Sequence, residues 1–204
     1  MTDHSDYQEV LSPNRYYDDT FDKEAIKLLP GEYYVTNRDM VLVTVLGSCV
    51  AACIRDRKSG IGGMNHFMLP ENKTEVASPV ATAARYGAYA MEMMINQLLK
   101  NGAKRENLEA KLFGGGNVLR GFTVTNVGER NVEFATAYLK NEKIRVVAQS
   151  ILDIYPRKIY FFPATGKVML RKLKHANNDT IIEREAEYGS RLKHADIEGD
   201  IDLF

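Results

Sequence analysis

The chain has no tryptophan, two cysteines, six prolines and no net charge across 204 residues. Two cysteines exclude a disulfide-stapled scaffold, and no cluster of Cys and His has the spacing of a zinc site. Apolar runs such as Met40 to Leu46 fall far short of the ~20 residues that a bilayer requires. The first six residues, Met-Thr-Asp-His-Ser-Asp, are polar and acidic, unlike a secretory signal or an organellar presequence. A phosphate-binding loop is also missing. Phe113-Gly-Gly-Gly-Asn117 lacks the Lys-Ser/Thr ending of one nucleotide motif and the full glycine spacing of the other. These absences lead to the expectation of a soluble, cytoplasmic protein with reduced thiols, no metal, no cofactor and no membrane insertion.

Hydrophobic residues make up 45% of the chain, enough for one domain with a real core. The zero net charge hides a partition. Residues 1–30 carry −4 and residues 175–204 carry −5, so residues 31–174 carry +9. The plain reading is a solvated domain between two acidic tails. The sharper one is a basic face that meets an acidic partner. Nucleic acid is not expected, because no helix-turn-helix, zinc-finger or RNA-binding signature accompanies the charge.

The spacing divides the chain into an acidic extension over 1–30, a domain over 31–174 and an acidic tail over 175–204. Phe21–Leu29 reads as a short amphipathic helix before Pro30-Gly31. Strands are predicted over Glu32–Asn37, Met40–Leu46, Cys49–Arg55 and Gly62–Leu69, joined tightly enough to suggest antiparallel neighbours. Ser78-Pro79 starts a helix of about 22 residues that Asn101-Gly102 ends. After a strand over Glu109–Phe113, Asn126 caps a second helix that runs to about Lys143. Three more strands follow, over 145–152, 158–162 and 167–173. The expected fold is a layered α/β sandwich with two long helices packed on β-sheet, and strand 40–46 near its centre.

Chemistry concentrates around Leu46-Gly-Ser-Cys-Val50. A glycine before the cysteine permits a sharp turn whose N–H groups can face an anion. Cys49 is therefore a candidate nucleophile, against the plain alternative of a small buried hydrophobe. Cys53 reads as core, and in an extended strand it lies about 13 Å from Cys49, too far for a disulfide. A thiol nucleophile needs a base. Of the four histidines, His66 is the one inside the folded pattern, and adjacent antiparallel strands would bring it beside Cys49. No acid lies in these strands to orient the imidazole, which leaves the hydroxyl of Thr44, otherwise an ordinary strand threonine.

These residues resemble one family. Thr44-Val-Leu-Gly-Ser-Cys49-Val50, Asp56, Gly62-Gly-Met-Asn-His66 and Met68-Leu-Pro70 are similar to the motifs of the CheD chemoreceptor glutamine deamidases. Lys111-Leu-Phe-Gly-Gly115, Gly128-Glu-Arg-Asn131 and Pro163-Ala-Thr-Gly-Lys167 continue the likeness in the same order, over about residues 31–173. The resemblance implies an α/β sandwich related to the catalytic domain of cytotoxic necrotizing factor toxins. It implies hydrolysis of receptor glutamines to glutamate and ammonia through a thioester, and in some members hydrolysis of receptor glutamyl methyl esters. It implies Cys49 as nucleophile, His66 as general base and acid, and Thr44 as the orienting hydroxyl. Gly47 and Ser48, with Gly114 and Gly115, are the candidates for oxyanion or substrate binding. The implied partners are the cytoplasmic domains of methyl-accepting chemoreceptors and, in some bacteria, a CheC-type phosphatase of CheY. The alternative is a CheD-like adaptor that binds receptor or phosphatase without chemistry.

Overall fold

In a computed structural model that describes residues 14–69, 79–117, 127–173 and 179–194, ten strands form two five-stranded sheets. The first sheet holds β1 (Arg15–Asp18), β2 (Lys23–Lys27), β4 (Val41–Leu46), β9 (Arg157–Phe162) and β10 (Lys167–Lys172), in that spatial order. The second holds β3 (Tyr33–Thr36), β6 (Gly62–Asn65), β5 (Val50–Asp56), β7 (Leu108–Gly114) and β8 (Arg145–Ile151), also in spatial order. Three α-helices are described: α1 (Pro79–Lys100), α2 (Val127–Asn141) and α3 (Asp179–His194).

Strand alternation builds the layers. On β4, Leu42 and Leu46 pack in one buried cluster with Cys49, Ala51, Cys53 and Met64 of the other sheet. This is the apolar seam between the sheets. Val41 and Val43 point the other way and pack with Ala25, Phe21 and Tyr160. On β5 the opposite phase, Val50, Ala52 and Ile54, packs against the helices. There α1 contributes Met91, Met94, Ile95 and Leu98, and α2 contributes Val132, Ala135 and Leu139. Each such large side chain stabilises the fold by about 1.5–3 kcal/mol when fully buried. The order of layers is helices, second sheet, first sheet.

Several expectations hold. Helix α1 spans 79–100, α2 begins at 127, and the strands expected after 108 all form. The caps expected at Ser78 and Asn126 lie outside the described residues. Strand β4 is the middle strand of its sheet.

Others need correction. Phe21–Leu29 is not a helix: Lys23–Lys27 is a strand, parallel to β4 through Ala25↔Val41 and Ile26↔Leu42. Nine residues are too few for a self-sustaining helix, and pairing with β4 buries Ala25 and Ile26 on opposite faces. The predicted strands over 32–37, 40–46 and 49–55 are not successive neighbours. The chain leaves the second sheet after β3 to form β4, then returns through Gly47–Cys49 to form β5. The two long helices are joined by a third, α3, inside the segment read as tail. Strands β1 and β2 likewise precede the domain start drawn at residue 31.

Candidate active site

The site lies where the chain crosses between sheets. Thr44 belongs to β4, in phase with Leu42 and Leu46, so its hydroxyl enters the seam from the first sheet. Cys49 directly precedes β5, in phase with Ala51 and Cys53. His66 directly follows β6. The register Cys53↔Met64 continues to a bridge between Val50 and Phe67, which returns His66 beside the start of β5. Strand 62–69 is shorter than expected, but its continuation keeps the phase that aims His66 into the seam.

The hydrogen bonds fix the imidazole tautomer. Thr44 Oγ1 lies 2.8 Å from the carbonyl oxygen of Leu28 and 2.8 Å from His66 Nδ1. A carbonyl only accepts, so the one hydroxyl proton goes to Leu28. Thr44 must then accept from Nδ1–H. This leaves Nε2 with a free lone pair, and among the described residues it has no hydrogen-bond partner. Cys49 Sγ, a ring nitrogen of His66 and a carboxylate oxygen of Glu185 all lie within 4.8 Å of one another.

Burial sets the charge state. Cys49 is 0% and His66 2% exposed. Desolvation pushes the Cys49 thiol well above its ordinary range, and the adjacent Glu185 carboxylate adds to this. Desolvation also lowers His66 to about 4, although Glu185 and the hydrogen bonding around Leu28 oppose the shift. Both groups are neutral in this closed arrangement. Cys53 is buried and free, with its thiol raised by desolvation, and forms no disulfide with Cys49.

Glu185 is the residue that the sequence reading missed. It lies on α3 and is 5% exposed. Its Oε1 accepts from the N–H of Gly47 at 2.9 Å and of Cys49 at 3.1 Å. Its Oε2 accepts from Ser48 N at 2.9 Å and Ser48 Oγ at 2.6 Å. Three successive backbone N–H groups and one hydroxyl thus converge on a single carboxylate beside Cys49. A Cβ on Gly47 would sit 2.9 Å from both oxygens, so the approach requires glycine. The acids in 175–204 looked like a solvated charge run. The available signal was the stripe Ile181, Glu185, Tyr188, which puts an acid where a buried helix face needs an apolar residue.

Gly47 and Ser48 therefore supply N–H groups at the site, whereas Gly114 and Gly115 do not reach the carboxylate. Their place is behind the loop. Gly115 N donates to Cys49 O and Gly116 N to Gly47 O, each at 2.7 Å. A Cβ on Gly114, at φ +108°, would sit 2.1 Å from Cys49 O. The glycine run is a close-approach brace that turns the Gly47 and Cys49 carbonyls away and leaves the N–H groups facing the seam.

Asn131 was quoted in a motif but given no role. Fully buried on α2, it accepts from Leu69 N at 2.8 Å and donates to Ser48 O at 2.9 Å. It ties the loop after His66 to the loop before Cys49. Asp56 accepts from the N–H groups of Lys58, Ser59 and Lys104, which lower it to about 2, and so closes turns far from the thiol.

A family model described as CheD chemotactic sensory transduction matches residues 68–172. A protein of Methylobacillus flagellatus called "Probable chemoreceptor glutamine deamidase CheD" is 62% identical over 97% of this chain and 98% of its own length. A protein of the same name from Thiobacillus denitrificans is 62% identical over 97% of this chain and 98% of its own. One from Shewanella oneidensis, called "Probable chemoreceptor glutamine deamidase CheD 1", is 56% identical over 94% and 93%. Among solved structures, a hypothetical protein YfiH of Bacillus licheniformis aligns with 60% of this chain and 49% of its own at TM-score 0.35 and 12% identity, too distant to bear on the fold.

Proposed function

The chain belongs to the CheD family, and from that premise we propose that it deamidates glutamine side chains on bacterial chemoreceptors, with Cys49, His66 and Thr44 as its catalytic machinery. The observation that carries the assignment of roles is the directed chain from Leu28 O through Thr44 to His66, which leaves Nε2 unprotonated on a ring that has one nitrogen within 4.8 Å of Cys49 Sγ.

In the proposed reaction, Cys49 Sγ attacks the side-chain carbonyl carbon of a receptor glutamine while its proton passes to His66 Nε2. The carbonyl electrons move onto oxygen, and the N–H groups of Gly47, Ser48 and Cys49 hold the oxyanion. The His66 imidazolium returns its proton to the amide nitrogen, and ammonia departs as the tetrahedral centre collapses to a thioester. Nε2 then removes a proton from water, whose oxygen attacks the thioester carbonyl; the C–S bond breaks, the Cys49 sulfur takes the proton back from Nε2, and glutamate is released. Thr44 keeps Nδ1 protonated and the ring aimed throughout.

The same steps hydrolyse a receptor glutamyl methyl ester, with methanol leaving in place of ammonia. The enzyme works in the cytoplasm on receptor cytoplasmic domains, and a CheC-type phosphatase is a further partner by family resemblance. The described helices include none long and apolar enough to cross a membrane. The adaptor reading draws on one observation, the occupation of the site by Glu185.

Peptide mass spectrometry of a receptor cytoplasmic fragment tests the proposal. The parent chain converts specific glutamines to glutamate, and Cys49→Ala converts none. A stable receptor complex with no conversion by either protein would favour the adaptor.

A further inference from the structure

Helix α3 places a glutamate side chain where the proposed reaction would form one. Both oxygens of Glu185 are held by the N–H groups that flank the thiol, and one lies within 4.8 Å of Cys49 Sγ and a His66 ring nitrogen. A product glutamate has the same atoms and charge, and its γ-carboxylate would take the same donors. The helix that delivers it is seated rather than merely near. Tyr188, one turn on, is buried in the inter-sheet cluster with Met68. Its ring fills the space beside Gly31 (φ +89°), where a Cβ would lie 2.8 Å from the Tyr188 hydroxyl oxygen. Ile181, one turn before, lines with Glu185 the crevice that leads to His66.

We propose that α3 is an internal product-like ligand: Glu185 occupies the seat of the substrate's glutamine side chain, and the helix must withdraw before a receptor glutamine can enter. The inference rests on the deamidase reading for the identity of the seat, although not for the covering of Cys49.

Two consequences follow. Burial, and after it the Glu185 carboxylate, hold the Cys49 thiol protonated, so withdrawal of α3 both opens and activates the nucleophile. Substrate and helix also compete for one site, so the apparent receptor affinity is the intrinsic affinity multiplied by the fraction of molecules that are open. A receptor helix that seats well displaces α3, and a poor substrate does not.

The experiment uses the full chain with Glu185→Ala and Glu185→Gln. The first reading is the rate of Cys49 alkylation by iodoacetamide, with Cys53 as internal control. Glu185→Ala should raise it about tenfold or more, as expected when roughly nine molecules in ten are closed, and leave Cys53 protected. Equal rates for parent and variant would overturn the proposal. So would parallel exposure of Cys53, which would mean unfolding rather than opening.

The second reading is the mass of the peptide that contains position 185. In Glu185→Gln the installed glutamine sits in the proposed seat and should convert to glutamate without added receptor, unless Cys49→Ala is also present. Persistence of that glutamine in a variant that still deamidates a receptor fragment would show that the seat is not the substrate's, and would overturn the proposal. Faster alkylation with no conversion of either glutamine would instead remove the deamidase reading and with it the product-like identity, and leave α3 as a cover over Cys49.

Discussion

A single proton decides how the site is wired. Thr44 has one to give, Leu28 O takes it, and His66 Nδ1–H must therefore point at Thr44. Thr44→Val keeps the shape of the side chain but leaves the Leu28 carbonyl and Nδ1–H without a partner. Each buried unpaired group costs about 1–3 kcal/mol. The variant should lose ~2–4 kcal/mol of unfolding free energy in urea, allowing for relaxation of the two groups. It should also lose about 10²-fold in kcat as the ring loses its orientation. Thr44→Ser retains the hydroxyl and should recover most of the kcat. Loss of stability without loss of kcat would make Thr44 a packing residue only.

His66 also makes stability depend on pH. Its folded pKa is lowered to about 4 by burial, against 6.5 for an unperturbed imidazole. Between those values the unfolded chain binds a proton that the folded chain refuses. Unfolding free energy therefore rises with pH across this window and is fully present above it. It should fall on the order of 1.4 kcal/mol per pH unit as pH drops from 6.5 towards 4, then flatten below. Urea titrations of the parent and His66→Gln isolate this contribution, because other carboxylates titrate in both proteins. Equal slopes for the two would contradict the buried neutral imidazole.

Among the elements, β-strand phase did most to make the site legible. Thr44, Cys49 and His66 lie on or beside three different strands, β4, β5 and β6, and each falls on the strand phase that faces the seam. The glycine break before Cys49 and one interior histidine were enough to nominate the pair. What the sequence could not show was which sheet each strand joins. Strands β3 and β4 are consecutive and belong to different sheets. The short apolar spacing within Phe21–Leu29 suggested a helix, but residues 23–27 become a strand through β4, a partner that follows them in the chain. Asn131 was equally hidden, because a polar residue on a helix becomes informative only when its partners are known. Asn131→Ala should remove the links to Leu69 N and Ser48 O. It should lower unfolding free energy by about 1–3 kcal/mol. Because Ser48 O shares its peptide with the Cys49 N–H, kcat should fall more than KM rises. An unchanged kcat with lost stability would confine Asn131 to a structural role.

At the scale of the whole molecule, the boundaries drawn at residues 31 and 174 enclose the proposed trio of Thr44, Cys49 and His66 but omit β1, β2 and α3. The composition there is acidic, and acidity reads as solvation until a basic or N–H-rich surface is placed opposite. For α3 that surface is the row of N–H groups at 47–49, which the glycine break before Cys49 suggested but nothing in the sequence paired with Glu185. The curated relatives match 97% of the chain, so the similarity also extends past both boundaries.

The most direct test is a receptor cytoplasmic fragment incubated with the parent chain in heavy-oxygen water and mapped peptide by peptide. The account predicts glutamine-to-glutamate conversion at defined positions, one solvent oxygen in each new carboxylate and one ammonia released per site. It predicts none of these with Cys49→Ala. Conversion that persists without the Cys49 thiol, or no conversion by a parent chain that still binds the receptor, would contradict it.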